Sequence, residues 1–380
     1  MISIKAVFVL MFLFGLTFYK AYVGFSYPAM NFDFFMYVGV THTFFGDPTV
    51  TSLDFVKEVA RIELPQLKED SYFADAYRTE VWSNAGAFSK QLSYYTIKPI
   101  YPIFMKGLTL IGFDYLSASV LISSTSYFLI IILSWLCISH STDHNDIVPM
   151  FCAAAIASFF PLTGLTRFST PDLLNTAFIM LSVYLVLCKG FWTLGFLFAI
   201  FAIFIRPDSV VWALALSAYY GLSRDRGFRN VVTAVALGAF AYMAYKSIGM
   251  IDKSYPILLV QKIFFNPLTA ASAHPETVTG IYDLNEIFQR YFDHTWLVIV
   301  GFDNKSQFAL FFVLLAISGA IASFRREGIE GAFWFAGPLF VIVIFHLAMP
   351  KEHDRNIIYT YIIVLCGWMR IFASARLEKS

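Results

Sequence analysis

The sequence predicts an all-α polytopic membrane protein. It has about ten transmembrane helices, both termini cytoplasmic, and an interfacial helical segment near 99–113. Three observations predict this. Of 380 residues, 58% are hydrophobic and only 14% charged, against about 25% charged in an ordinary soluble domain. Many of the 27 basic and 26 acidic residues fall in a few short stretches, separated by apolar runs near the roughly 20 residues that a membrane helix needs. Those runs are apolar all round and do not alternate as barrel strands would. A soluble enzyme and a disordered chain are excluded. A net charge of +1 offers no basic patch, so no nucleic-acid partner is expected.

Taken in order, the run 2–27 begins near Lys5 and lacks a small-residue cleavage site, so it reads as an uncleaved first helix. The polar stretch 31–98 carries nine acids and six bases. The apolar segment 99–113 contains Pro102, Lys106 and Gly107. At about 15 residues it is short for a span and reads as re-entrant or interfacial. Further spans are expected near 116–138, 147–163, 172–188, 191–205, 208–222, 231–249, 306–324, 332–349 and 356–373.

The positive-inside rule then places Lys5, Lys189, Arg224, Arg226, Arg229, Arg325, Arg326, Arg370, Arg376 and Lys379 on the cytoplasmic face. Counting 99–113 as an eleventh span would set Lys5 against every later cluster. The two long loops, 31–115 and 250–305, fall outside. They carry net charges of −3 (over 31–98) and −2. Residues 1–380 read as one transmembrane domain. Cys137, Cys152, Cys188 and Cys366 show no metal-ligand spacing and read as small packing residues.

Charged and polar residues gather at the expected outer ends of the spans. Asp33 follows the first helix within Asn31-Phe32-Asp33-Phe34-Phe35-Met36-Tyr37, with Tyr37 one helical turn further on the same face. Burial among Phe32, Phe34 and Phe35 would suit a general base. Lys98-Pro99-Ile100-Tyr101-Pro102 opens the short segment, its prolines restricting the chain entry. Arg167-Phe168-Ser169-Thr170-Pro171-Asp172 joins two spans. Ser169 or Thr170 can cap the next helix and Asp172 can complement its dipole, an account that needs no ligand. Arg206-Pro207-Asp208 suits either an internal ion pair or a phosphate grip. His353-Asp354-Arg355 opens the last span, where an Arg can hold a lipid phosphate bidentately or meet headgroups generally. The string 140–146 has metal-capable side chains, but no cofactor follows from it, and a divalent metal stays open.

On these motifs the chain resembles the GT-C superfamily of membrane glycosyltransferases, which use polyprenyl-phosphate-linked sugars. The resemblance rests on Asp33 with Tyr37, Pro99-Ile100-Tyr101-Pro102, Arg167 to Asp172, and Arg355. It implies Asp33 as catalytic base, with Tyr37, Lys98, Tyr101, Arg167, Asp172, Arg206, Asp208, His353 and Arg355 binding substrate. The implied reaction is inverting transfer to a hydroxyl of a glycan, lipid or protein acceptor, on the extracytoplasmic side of a bacterial inner membrane. Two other readings share the pattern of spans and arginines. An O-antigen-type polymerase would carry its main outer loop late. A lipid-linked sugar transporter or flippase would show repeats and charges near the midplane.

Overall fold

Fifteen α-helices make up the described chain, in a computed structural model that describes residues 4–29, 31–65, 73, 75–140, 147–223, 228–249, 309–348 and 354–377. They divide into a bundle and a five-helix lobe. The bundle begins with α1 (Ile4–Ser26). The lobe follows: α2 (Phe32–Phe45), α3 (Ser52–Glu63), α4 (Ala76–Ser83), α5 (Ala85–Thr96) and α6 (Ile100–Leu110). The bundle resumes with α7 (Tyr115–Ser139), α8 (Val148–Ala157), α9 (Phe160–Leu165), α10 (Asp172–Val183), α11 (Trp192–Ile205), α12 (Val210–Leu222) and α13 (Phe228–Gly249). It closes with α14 (Ala309–Ala348) and α15 (Ile358–Leu377).

The expected ten spans are corrected. Among the described residues, four stretches are long and apolar enough to cross a membrane: Val7–Ser26, Tyr115–Ser139, Arg229–Ile248 and Leu310–Phe345. The reason lies in helix length: one expected span is broken inside, and others end where expected but are short. The run 147–163 splits at Ser158 and Phe159, ahead of Pro161 in the first turn of α9. The run 172–188 ends in a π turn, Tyr184–Cys188, before Gly190 at φ 69°. Arg206 and Pro207 stop α11 after 14 residues. Helices of 10–14 residues rise only about 15–21 Å. The longest helix, α14, is itself folded back. Gly328 adopts φ 66°, a left-handed conformation that favours glycine. Gly319 of the first half packs against the ring of Phe335 in the second half, leaving no room for a Cβ. The expected spans 306–324 and 332–349 overlap the two arms of this hairpin. The expected loop 250–305 lies outside the described residues.

The described part of the polar stretch after α1 folds into the lobe, which has its own core. Phe34, Phe35, Val38, Val56, Phe73, Trp82 and Phe88 are buried there, closed from below by Ile122, Leu174 and Ile205 at the ends of α7, α10 and α11. In α3 the buried positions Leu53, Val56, Val59 and Ala60 form one helical stripe. Side-chain caps start the lobe helices: Asn31 on Phe34, Thr51 on Asp54, Asp75 on Arg78, and Asn84 on Gly86 and Ala87. The segment near 99–113 forms α6, 11 residues long and too short to span. The bundle core is separate and mostly aliphatic, and Tyr94 and Phe178 pack against both cores. All four cysteines are unbridged. Cys137, Cys188 and Cys366 are buried, in agreement with a packing role.

Glu63 fastens lobe to bundle. Its carboxylate accepts the backbone N–H groups of Tyr115 (3.0 Å) and Leu116 (2.8 Å), while Asp114 caps the same helix on Ser117. Two acids thus face the positive end of α7. Burial pushes the Glu63 carboxyl above its usual range, although the two N–H bonds pull it down. The folded chain therefore binds this proton more tightly than the unfolded one. By linkage, stability falls as pH rises from the ordinary glutamate value through the raised one. Thermal unfolding followed from about pH 4 to 7 is expected to show this slope in the wild type and to lose it in Glu63→Gln. Equal slopes would contradict the assignment.

Candidate functional site

One end of the bundle gathers charge from four separate segments. Asp33 stands in the first turn of α2 and Asp172 opens α10. Arg206 and Asp208 occupy the tight turn between α11 and α12. Arg355 lies in the 3-10 turn Asp354–Ile357 that leads into α15. They form a chain of alternating sign. Arg355 Nη2 lies 3.3 Å from Asp33 Oδ2, and its Nε lies 3.8 Å from Asp172 Oδ2. Arg206 Nη1 bonds Asp172 Oδ1, and its Nε donates to Asp208 Oδ1 at 3.1 Å. Thr170 donates its hydroxyl to the second oxygen of Asp172 at 2.8 Å.

Exposure grades along this chain. The Asp33 and Arg355 side chains are 23% and 34% exposed, whereas Arg206, Asp208 and Asp172 fall to 11%, 9% and 1%. The inner triad is therefore a dry ion cluster, and the outer pair is its open end. Three carboxylates face two guanidiniums. The buried Lys98 brings the balance to neutral. Its ammonium lies over the rings of Tyr94 (4.4 Å), Tyr95 (5.3 Å) and Tyr37 (6.0 Å), an aromatic seat for a cation.

Tyrosines complete the surroundings of Asp33. Tyr95 donates its hydroxyl to Asp33 Oδ1 at 2.8 Å. Tyr37 packs edge-on to Tyr95 (5.1 Å) and Tyr101 (4.7 Å). Burial, and next the neighbouring Asp33 carboxylate, holds the Tyr95 and Tyr37 hydroxyls well above the usual phenol range. Tyr95 thus stays a proton donor in its hydrogen bond at any working pH. The expected phenylalanine setting of Asp33 is corrected. Phe34 and Phe35 are fully buried in the lobe core, and Phe32 packs against Phe73 and Tyr77. Successive helical side chains diverge by about 100°, so neighbours in sequence leave the carboxylate to Tyr95 and Arg355.

Among the expected site residues, Asp33, Asp172, Arg206, Asp208 and Arg355 converge, with Tyr37, Lys98 and Tyr101 beside them. Arg167 stands apart: its Nε donates to the Tyr27 carbonyl at 2.7 Å. There it ties its loop to the exit of α1, alongside the Ala29 N–H bond to the Arg167 carbonyl at 2.8 Å. His353 and residues 141–146 lie outside the described residues. Among the described residues no group of three His, Cys, Asp or Glu side chains is arranged to hold a metal. The sequence reading missed Tyr94 and Tyr95. Their one available signal was a Tyr pair three and four residues before Lys98. It also missed Tyr359 and Trp212. The Tyr359 hydroxyl, Trp212 Nε1 and Asp208 Oδ2 are buried without a hydrogen-bond partner among the described residues. The Trp212 and Tyr359 rings lie 6.3 Å apart.

No protein-family model, curated protein or solved structure matches this chain.

Proposed function

We propose that the protein is a membrane glycosyltransferase. It moves a sugar from a polyprenyl-phosphate donor to an acceptor hydroxyl, with inversion, on the extracytoplasmic face of a bacterial inner membrane. The acceptor class is a glycan, a lipid or a protein. The observation that carries this reading is the open pair Asp33–Arg355, a carboxylate and a guanidinium 3.3 Å apart at the exposed end of a buried ion cluster.

In the proposed reaction Asp33 takes the proton of the acceptor hydroxyl. The acceptor oxygen bonds to the anomeric carbon as the bond from that carbon to the phosphate oxygen breaks, and the electron pair leaves on the polyprenyl phosphate. Phosphate is a good leaving group, so one carboxylate serves where glycoside hydrolysis uses two. Arg355 is suited to the departing charge. Its contacts to Asp33 and Asp172 are 3.3 and 3.8 Å, longer than the roughly 2.7–2.9 Å of a strong charge-assisted bond. A phosphate offers it closer, bidentate partners. The inner triad Asp172–Arg206–Asp208 fixes the frame, and Tyr95 orients the Asp33 carboxylate. The Arg-rich short loops set the other end of the bundle toward the cytoplasm.

The test is donor binding to the purified chain in nanodiscs. Arg355→Ala is expected to weaken binding of a polyprenyl-phosphate sugar about 10- to 100-fold, the weight of charge-assisted hydrogen bonds. Arg355→Lys should restore only part of it, because an ammonium lacks the planar fork. Unchanged affinity in a folded Ala variant would remove Arg355 from the donor site.

A further inference from the structure

Behind the ion cluster, three polar groups lie close together inside the bundle. They are Asp208 Oδ2, Trp212 Nε1 and the Tyr359 hydroxyl. All three atoms are buried, and none has a hydrogen-bond partner among the described residues. Three observations place them side by side. Trp212 follows Asp208 by four residues, from the 3-10 turn Pro207–Ser209 into α12, a spacing that brings side chains to one helical face. The Trp212 and Tyr359 rings lie 6.3 Å apart, edge to face at 72°. Among charged groups, Asp208 acts most strongly on the Tyr359 phenol, ahead of Arg206.

Their bonding capacities are complementary. An indole N–H only donates, and a phenol donates or accepts. Asp208 Oδ1 already accepts from Arg206 Nε at 3.1 Å, which leaves Oδ2 as the acceptor. The indole and the phenol do not reach that oxygen directly. A polar group buried with no partner gives up its bonds to solvent and gains nothing in return, and a charged one loses most. Buried polar groups in folded proteins therefore bond to protein or to ordered water.

One small oxygen ligand satisfies all three groups. It donates to Asp208 Oδ2, accepts from Trp212 Nε1 and bonds the Tyr359 hydroxyl in either sense, the three bonds usual for a buried water. The size of the ligand follows from burial. Trp212 and Tyr359 are fully buried and the Asp208 side chain nearly so, which admits a water and gives a sugar ring no exposed face to approach.

We propose that Asp208, Trp212 and Tyr359 together hold one internal water. The water ties α15 to the turn before α12. Arg355 stands four residues before Tyr359, in the 3-10 turn that leads into α15, so the tie also bears on the outer end of the ion cluster. The site belongs to the fold and does not rest on the proposed transfer reaction.

Proton-detected solid-state NMR of the full chain in lipid vesicles tests it, with tryptophan labelled at the indole nitrogen. The chain has seven tryptophans, and Trp212→Phe identifies the Trp212 signal. The wild-type Trp212 indole proton is expected to receive magnetisation from water at short mixing times. Tyr359→Phe removes only the hydroxyl and keeps the ring. It should shift the Trp212 signal and weaken the transfer, because the water loses one of its three bonds. A wild-type Trp212 proton that receives nothing from water would overturn the proposal. So would an unchanged signal and transfer in Tyr359→Phe. Transfer that appears only after a polyprenyl-phosphate sugar is added would assign the site to a substrate hydroxyl and equally overturn the water.

Discussion

Asp33→Asn is expected to slow sugar transfer at least about a hundredfold while donor binding stays near normal. General-base contributions run about 10²–10⁴-fold, and a base acts only as the acceptor attacks, so its loss falls on turnover. The substitution is nearly isosteric. An asparagine carbonyl can still accept the Tyr95 hydroxyl, held at 2.8 Å in the wild type, so geometry is retained while basicity is abolished. Tyr95→Phe should cost much less, because it removes an orienting bond and keeps the base. Asp172 and Asp208 are internal controls. Both carboxylates are committed to Arg206, and their Asn variants should act through stability. Full transfer by Asp33→Asn, together with its abolition in a folded Asp172→Asn or Asp208→Asn protein, would displace Asp33 as the base.

Arg206→Met is expected to destabilise the protein by about 3–5 kcal/mol, the usual loss when one partner of a buried ion pair is removed. The cause is specific. Asp172 and Asp208 are 1% and 9% exposed, and Arg206 is the guanidinium that pairs with both, while Arg355 stands 3.8 Å from Asp172. Without it, two buried carboxylates lose their shared cation. Arg206→Lys should be intermediate, because a single ammonium cannot serve Nη1 and Nε positions at once. Adding Asp172→Asn and Asp208→Asn to Arg206→Met should recover much of the loss, since the remaining groups are then neutral. Thermal unfolding in detergent reads all three variants. A wild-type melting temperature for Arg206→Met would show that the cluster contributes no stability.

How much of this was legible in the sequence follows from sequence separation. Arg206 and Asp208 are two residues apart, and their pairing could be read as an alternative from the tripeptide. That Asp33, Asp172 and Arg355 would share one end of the bundle could be suspected from their places at the limits of apolar runs. Their partners could not be named. Tyr95 is 62 residues from Asp33, and Arg355 is 322, and no local rule connects such positions. The lobe was hidden for another reason. Only α3 shows a clear amphipathic stripe, whereas α2 is buried continuously from Phe34 to His42 and carries no periodic signal to separate it from the apolar runs. Counting apolar runs failed because 172–188, 191–205 and 208–222, although bounded where expected, form helices shorter than the roughly 20 residues a span needs.

The pairing of Arg355 with Asp33 also sets an order of assembly. A ribosome makes the carboxylate early and its cation more than three hundred residues later. Until residue 355 has emerged and its helix has docked, the acid lacks the guanidinium that stands 3.3 Å from it. Any product truncated between these positions carries the carboxylate without the arginine that pairs with it. The pair is therefore completed late in synthesis, and incomplete chains would lack it altogether rather than hold a weakened version of it.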